Sequence, residues 1–167
     1  MAVLDIVTFP NKVLREDTEE IKEFDKDLHK LVDNMVETMR DAPGVGLAAP
    51  QVGLSKKLVV VEFGSENDEN FPKQLFVLAN PEIVEKSADT VRGVEGCLSV
   101  PDLVGSVDRA RVVTVRAQDQ HGKPLKIRAE GWLARIFQHE IDHINGILYT
   151  DRTTDIWQPE ADEIDMV

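Results

Sequence analysis

Between Asp25 and Arg40 the apolar residues Leu28, Leu31, Val32, Met35 and Met39 recur at helical spacing, which lines one face of an α-helix. Asp25 and Asp27 sit where the helix dipole favours negative charge, and Pro43 and Gly44 end the segment. Residues 57–63 (KLVVVEF) and 74–79 (QLFVLA) are short β-rich runs separated by GSENDENFPK, whose composition is that of a loop. Val113 and Val115 then alternate with polar neighbours, DQHG at 119–122 supplies a turn, and Leu125, Ile127 and Ala129 alternate again, as in a hairpin. A second helix is expected from about Glu130 to Ile144, with Asn145-Gly146 as its stop. Its apolar stripe is Leu133, Ile136, Phe137, Ile141 and Ile144. The pattern predicts an α+β fold, with mixed or antiparallel strands around a central helix and an N-terminal amphipathic helix.

Length and charge narrow what such a fold does. A chain of 167 residues fits one domain, and a domain of this size buries roughly 70% of the surface its unfolded chain exposes. A metal is therefore not needed to hold it together. With 19 basic and 31 acidic residues the formal charge is -12, which argues against direct nucleic-acid binding, since phosphate recognition needs clustered Lys and Arg. The single cysteine forbids an internal disulfide and fits a reducing compartment. No signal-peptide pattern opens the chain and no apolar run is long enough to enter a membrane. A cytoplasmic protein is expected, and a processed organellar one would look the same.

The expected second helix carries HEIDH at residues 139–143. Residues four apart stand on one helix face, so His139 and His143 can aim at one ion. Glu140 is rotated about 100° from His139, beside the ion rather than on it, which is the position of a general base. Seven residues after Leu133, Glu140 falls at the edge of the apolar stripe and is expected to be partly buried, with a raised pKa suited to accepting and returning a proton. Three protein ligands and a water make a reactive site, and Cys97, in EGCLS, is available as a soft third donor. A second stripe, Trp132, Ile136, His139 and His143, puts apolar side chains beside the histidines and suggests a wall for a hydrophobic substrate group. His29 and His121 match no motif and are expected as surface or turn residues.

HEIDH, EGCLS around Cys97 and GVGLAAPQ at 44–51 occur together, and in this order they resemble the polypeptide deformylase family, over about Val3 to Arg152. The resemblance implies a single catalytic domain over 1–152, followed by a short acidic C-terminal tail at 153–167. It implies removal of the formyl group from the N-terminal formylmethionine of nascent polypeptides. Cys97, His139 and His143 would hold one divalent ion, commonly Fe(II), with zinc or another divalent ion able to occupy the site. Water activated there would attack the formyl carbon, with Glu140 as base and then acid. Gln51 and the backbone N–H of Leu98 would stabilise the oxyanion. Val45, Trp132, Ile136 and the His139 ring would receive the methionine side chain, while backbone near Gly46 and Gly96 would pair with the extended peptide. Glu95 and Arg109 match a structural ion pair of the family. Residues 153–167 contain five acidic and no basic residues, unlike the basic helix that many members use for ribosome docking, so only weak ribosome contact is expected.

Two other readings share the HExxH string. A zinc peptidase would take its third ligand from downstream, where Tyr149 occupies the histidine place and Glu160 and Glu163 are the remaining carboxylates. A purely structural metal would usually be held by four protein ligands.

Overall fold

In a computed structural model of the chain, which describes residues 2–65, 67–70 and 72–160, two antiparallel sheets enclose one buried helix. Helix α1 (Lys26–Asp41) begins at Asp25, whose carboxylate accepts the Leu28 backbone N–H, a cap that satisfies one of the free N–H groups of the first turn. Its buried face, including Leu28, Val32, Met35 and Met39, packs on Leu47, Leu58 and Val60.

The chain then runs through β1 (Gly46–Ala48), β2 (Leu58–Phe63), β3 (Gln74–Lys86), β4 (Thr90–Cys97), β5 (Val100–Ala110), β6 (Val112–Gln118), β7 (Pro124–Glu130), α2 (Gly131–Ile144) and β8 (Ile156–Trp157). The larger sheet has the order β1-β2-β3-β6-β7 and the smaller β4-β5-β8. Every pairing between these strands is antiparallel. β1 and β4 are both terminal strands of their sheets.

Strand β3 is longer than the run QLFVLA suggests, continuing through Asn80 and Pro81. Its pairing with β6 jumps from Ala79–Gln118 to Glu82–Arg116, and Asn80 has φ 52°. Pro81 lacks an N–H, and the bulge puts it where the ladder asks for none. The hairpin of β4 and β5 has no counterpart in the hydrophobic pattern. Glycines at 93, 96 and 105 and Pro101-Asp102 blur its alternation, and its order comes from pairing, Thr90 with Ala110 through Gly96 with Val104. Cys97 then pairs with Val100 across a tight turn at Leu98-Ser99 after a register shift.

Of residues 153–167, expected as a tail, Ile156–Trp157 form β8 against Val104 and Gly105, while 161–167 lie outside the described residues. Among the described residues no helix is long and apolar enough to cross a membrane.

Candidate functional site

Helix α2 is the interior of the molecule, with every residue from Ala134 to Ile144 buried. Ala134, Ile136, Phe137, Ile141 and Ile144 enter one core cluster with Val59, Val61 and Leu78 from the larger sheet. The helix ends as Asn145-Gly146 predicted. Gly146, at φ 74°, gives its N–H to His143, and the Ile147 N–H reaches Asp142, closing the free carbonyls of the last turn. The remaining face of α2 turns polar side chains inward, so each must find a partner or a function.

Cys97, at the end of β4, meets His139 and His143 there. One donor atom from each lies within 4.8 Å of the others, and all three residues are buried. Cys97 Sγ stands 3.3 Å from His143 Nε2. His139 Nδ1 lies 2.8 Å from Glu95 Oε1 and donates to that carboxylate, so Nε2 is the ring nitrogen left to a metal when the imidazole is neutral. That Nε2 is buried without a hydrogen-bond partner. Burial draws the pKa of His139 down, but Cys97 and Glu95 outweigh it and raise it to about 10. The surroundings of His139 thus favour added positive charge. His143 is pushed well below its ordinary value by burial and by the field of His139, the condition of a neutral imidazole donor. A thiol, two imidazoles and an orphaned lone pair fit a borderline-soft divalent ion.

Glu140 is fully buried rather than partly buried, and neither carboxylate oxygen has a hydrogen-bond partner. The cause is β1. A Cβ on Gly46 would lie 2.5 Å from Glu140 Oε2, so the glycine backbone seals the carboxylate from solvent. Burial raises its pKa to about 7.

Gln51, also fully buried, is oriented by the backbone three residues before it: its Oε1 accepts the Ala48 N–H at 3.0 Å. Nε2 is thereby turned to Ser99 Oγ at 3.2 Å and to Cys97 Sγ at 3.7 Å. Leu98 follows Cys97 in the turn, and its side chain sits over Gly44, where a Cβ would come within 3.1 Å. Gly96 is buried on β4. Val45 and Trp132, both partly buried, pack on the same cluster as the fully buried Ile136. Cys97, His139, His143, Glu140 and Gln51 thus come together between α2, β1 and the end of β4, whereas Val45, Trp132 and Ile136 are joined only through the larger core cluster.

The periodicity did not reveal the ionic cluster behind these residues. Arg109 forms a fork on Glu95, Nε to Oε2 and Nη2 to Oε1, both 2.9 Å. It also donates to Asp142 at 2.6 Å, and Asp142 accepts from Arg152. Arg135 donates to Glu95 Oε2 at 2.6 Å. Burial alone would raise Glu95, yet the hydrogen bonds from Arg109 and His139 and their charge outweigh it and hold its pKa well below the usual carboxylate range. Tyr149 stacks on the His139 ring at 6.1 Å between centroids. Arg135 and Asp142, charged residues inside a helix without a solvated face, were the signal available. Of the alternative metal carboxylates, Glu160 is exposed and belongs to no such donor group, and Glu163 lies outside the described residues.

A buried, unpartnered carboxylate beside three side chains that could hold a metal ion, on an α+β frame, is equipment an enzyme would carry. Known proteins supply the family. The model of the polypeptide deformylase family matches residues 3–158. A peptide deformylase of Symbiobacterium thermophilum is 53% identical over 156 residues, 93% of this chain and 69% of that protein. Peptide deformylase 1 of Bacillus anthracis is 50% identical over 92% of this chain and 94% of its own length. Among solved structures, a peptide deformylase from Legionella pneumophila superimposes with a TM-score of 0.84 at 43% identity, covering 92% of this chain and 87% of that one. One from Synechococcus elongatus, in complex with actinonin, gives 0.83 at 38% identity over 91% of this chain and 79% of that one. The chain belongs to the polypeptide deformylase family, a family of enzymes.

Proposed function

We propose that this chain hydrolyses the N-formyl group from the N-terminal formylmethionine of newly made polypeptides, releasing formate, and that residues 1–152 carry the whole of that chemistry. The observation that supports it most is the juxtaposition of Cys97, His139 and His143 with a buried, unpartnered Glu140. Cys97, His139 and His143 would hold one divalent ion, Fe(II) by family or Zn(II) in its place, and soft sulfur with imidazole suits either. Such an ion supplies Lewis acidity, lowering the pKa of a water and polarising the formyl oxygen.

Glu140 takes the proton of the attacking water and returns it to the leaving amine. A carboxyl group with a pKa raised to about 7 is matched to both transfers. Gln51 Nε2, already turned toward Cys97 by the Ala48 N–H, and the Leu98 backbone N–H donate to the developing oxyanion. Val45, Trp132 and Ile136, with the His139 ring, accept the methionine side chain. β1 at Gly46 and β4 at Gly96 are terminal strands, so an extended peptide can add to them through its backbone, which tolerates varied sequence after the first residue.

The test is formate release from a formyl-Met-Ala-Ser peptide by protein purified without oxygen, beside Glu140→Gln. Rapid release by the wild type, abolished in a variant that keeps its metal, is the expected result. No release by a wild type carrying one equivalent of metal would overturn the proposal.

A further inference from the structure

We infer that Arg135 is a positioning residue for this centre, holding the helix that carries both histidines against the strand that carries Cys97. The inference rests on the metal-site reading above and extends it to a residue outside the donor set. Arg135 lies one turn before His139 on α2 and is 4% exposed. Its guanidinium joins three elements at once. From α2, Nη1 donates to Glu95 Oε2 at 2.6 Å and to the Val107 carbonyl of β5 at 3.0 Å, and Nη2 donates to the Val91 carbonyl of β4 at 2.6 Å.

Two neighbours are shaped around it. Gly93 carries no side chain where a Cβ would stand 2.8 Å from Arg135 Cζ, and the Trp132 ring lies with its centroid 5.6 Å from the same atom. Charge neutrality does not call for this arginine, because the Arg109 fork already pairs Glu95. What Arg135 adds is direction, since it ties backbone of β4 and β5 to the helix. β4 is a terminal strand, so no sheet neighbour fixes its outer side. The spacing of Cys97 from His139 and His143 then depends on what binds β4 to α2. A lysine keeps the charge but not the planar fork that reaches a carboxylate and two carbonyls.

The experiment compares cobalt(II)-loaded wild type with Arg135→Met, Arg135→Lys and Gly93→Ala, the last displacing the guanidinium without changing charge. Visible absorption, the rate of cobalt transfer to a chelator and the melting temperature are read on each holoenzyme. The expected result is changed cobalt bands and release about 10- to 100-fold faster in Arg135→Met, with smaller effects of the same kind in Arg135→Lys and Gly93→Ala. If Arg135→Met does not fold, the other two carry the test. Folded variants with wild-type bands and wild-type release, even with lowered melting temperatures, would show a clamp without influence on the centre and overturn the inference alone. A wild type that holds no cobalt would overturn the metal-site reading and this inference with it.

Discussion

At the scale of single residues, Gly46 and Glu140 are one device. Only a residue without a side chain lets β1 approach the carboxylate this closely, and that approach excludes the water that would otherwise lower its pKa. Gly46→Ala must push Glu140 aside, and a displacement on the order of 1 Å at a proton-transfer group costs roughly 100-fold in rate. Kinetics on the formyl peptide with metal analysis should show kcat falling by about that factor at unchanged metal content. An unchanged kcat would mean that the carboxylate position is not critical. Gln51→Ala removes a donor that Ala48 pre-orients, and is expected to cost about 3 to 4 kcal/mol in the transition state. That loss should appear in kcat rather than KM, whereas an effect confined to KM would assign Gln51 to substrate binding.

At the scale of elements, α1 is held mainly by its apolar face and only lightly by charge. Met35, wholly buried against the β2 side of the core, should cost about 2 to 5 kcal/mol when changed to Ala, read as a shift in urea midpoint at constant slope. The ion pair of Arg40, at the end of α1, with Glu62 on β2 is different, because Arg40 is largely exposed. Such pairs contribute at most about 1 kcal/mol. The hydrogen bond from Arg40 holds the Glu62 pKa below its ordinary value. A carboxylate lowered in the folded state stabilises it above the unfolded pKa, near about 4.3, and that contribution is lost as pH falls through the folded value. The small stability gap between wild type and Arg40→Ala should therefore be present at pH 7 and shrink as acid carries Glu62 through its lowered folded pKa; a gap that does not change with pH down to the acid limit of folding would contradict the ionic account.

At the scale of the whole molecule, the buried cluster of Glu95, Arg109, Arg135 and Asp142 joins both sheets' shared helix to the hairpin that bears Cys97. Glu95→Leu leaves two arginines underpaired in the interior, so a loss of about 3 to 5 kcal/mol is expected, measured by equilibrium unfolding. A near-neutral result would mean that the arginines reach water. Metal removal should behave otherwise. The apolar clusters around α1 and α2 are built without Cys97, which packs in a separate small cluster with Val100, Val107, Leu148 and Tyr149, so chelation is expected to abolish formate release while the far-ultraviolet circular dichroism stays that of the folded chain. Collapse of the spectrum on chelation would instead make the ion part of the folding core.

The local order was legible in the sequence where chemistry is local. Helical spacing from Leu28 to Met39, alternation on either side of DQHG and the Asn145-Gly146 stop depend on neighbours in the chain, and so do the four-residue spacing of His139 and His143 and the glycines of GVGLAAPQ. The β4–β5 hairpin was not legible, because glycines and Pro101 erase its alternation and long-range pairing creates its order. Nor was the complete burial of Glu140, which depends on a glycine almost a hundred residues away. The same holds for the four hydrogen bonds converging on Glu95, since a carboxylate's partners follow from which elements are packed together. Residue types and their local spacing thus specified which donors this chain possesses, while the packing of α2 between β1 and β4 decided which of them are dry, charged and aimed at one point.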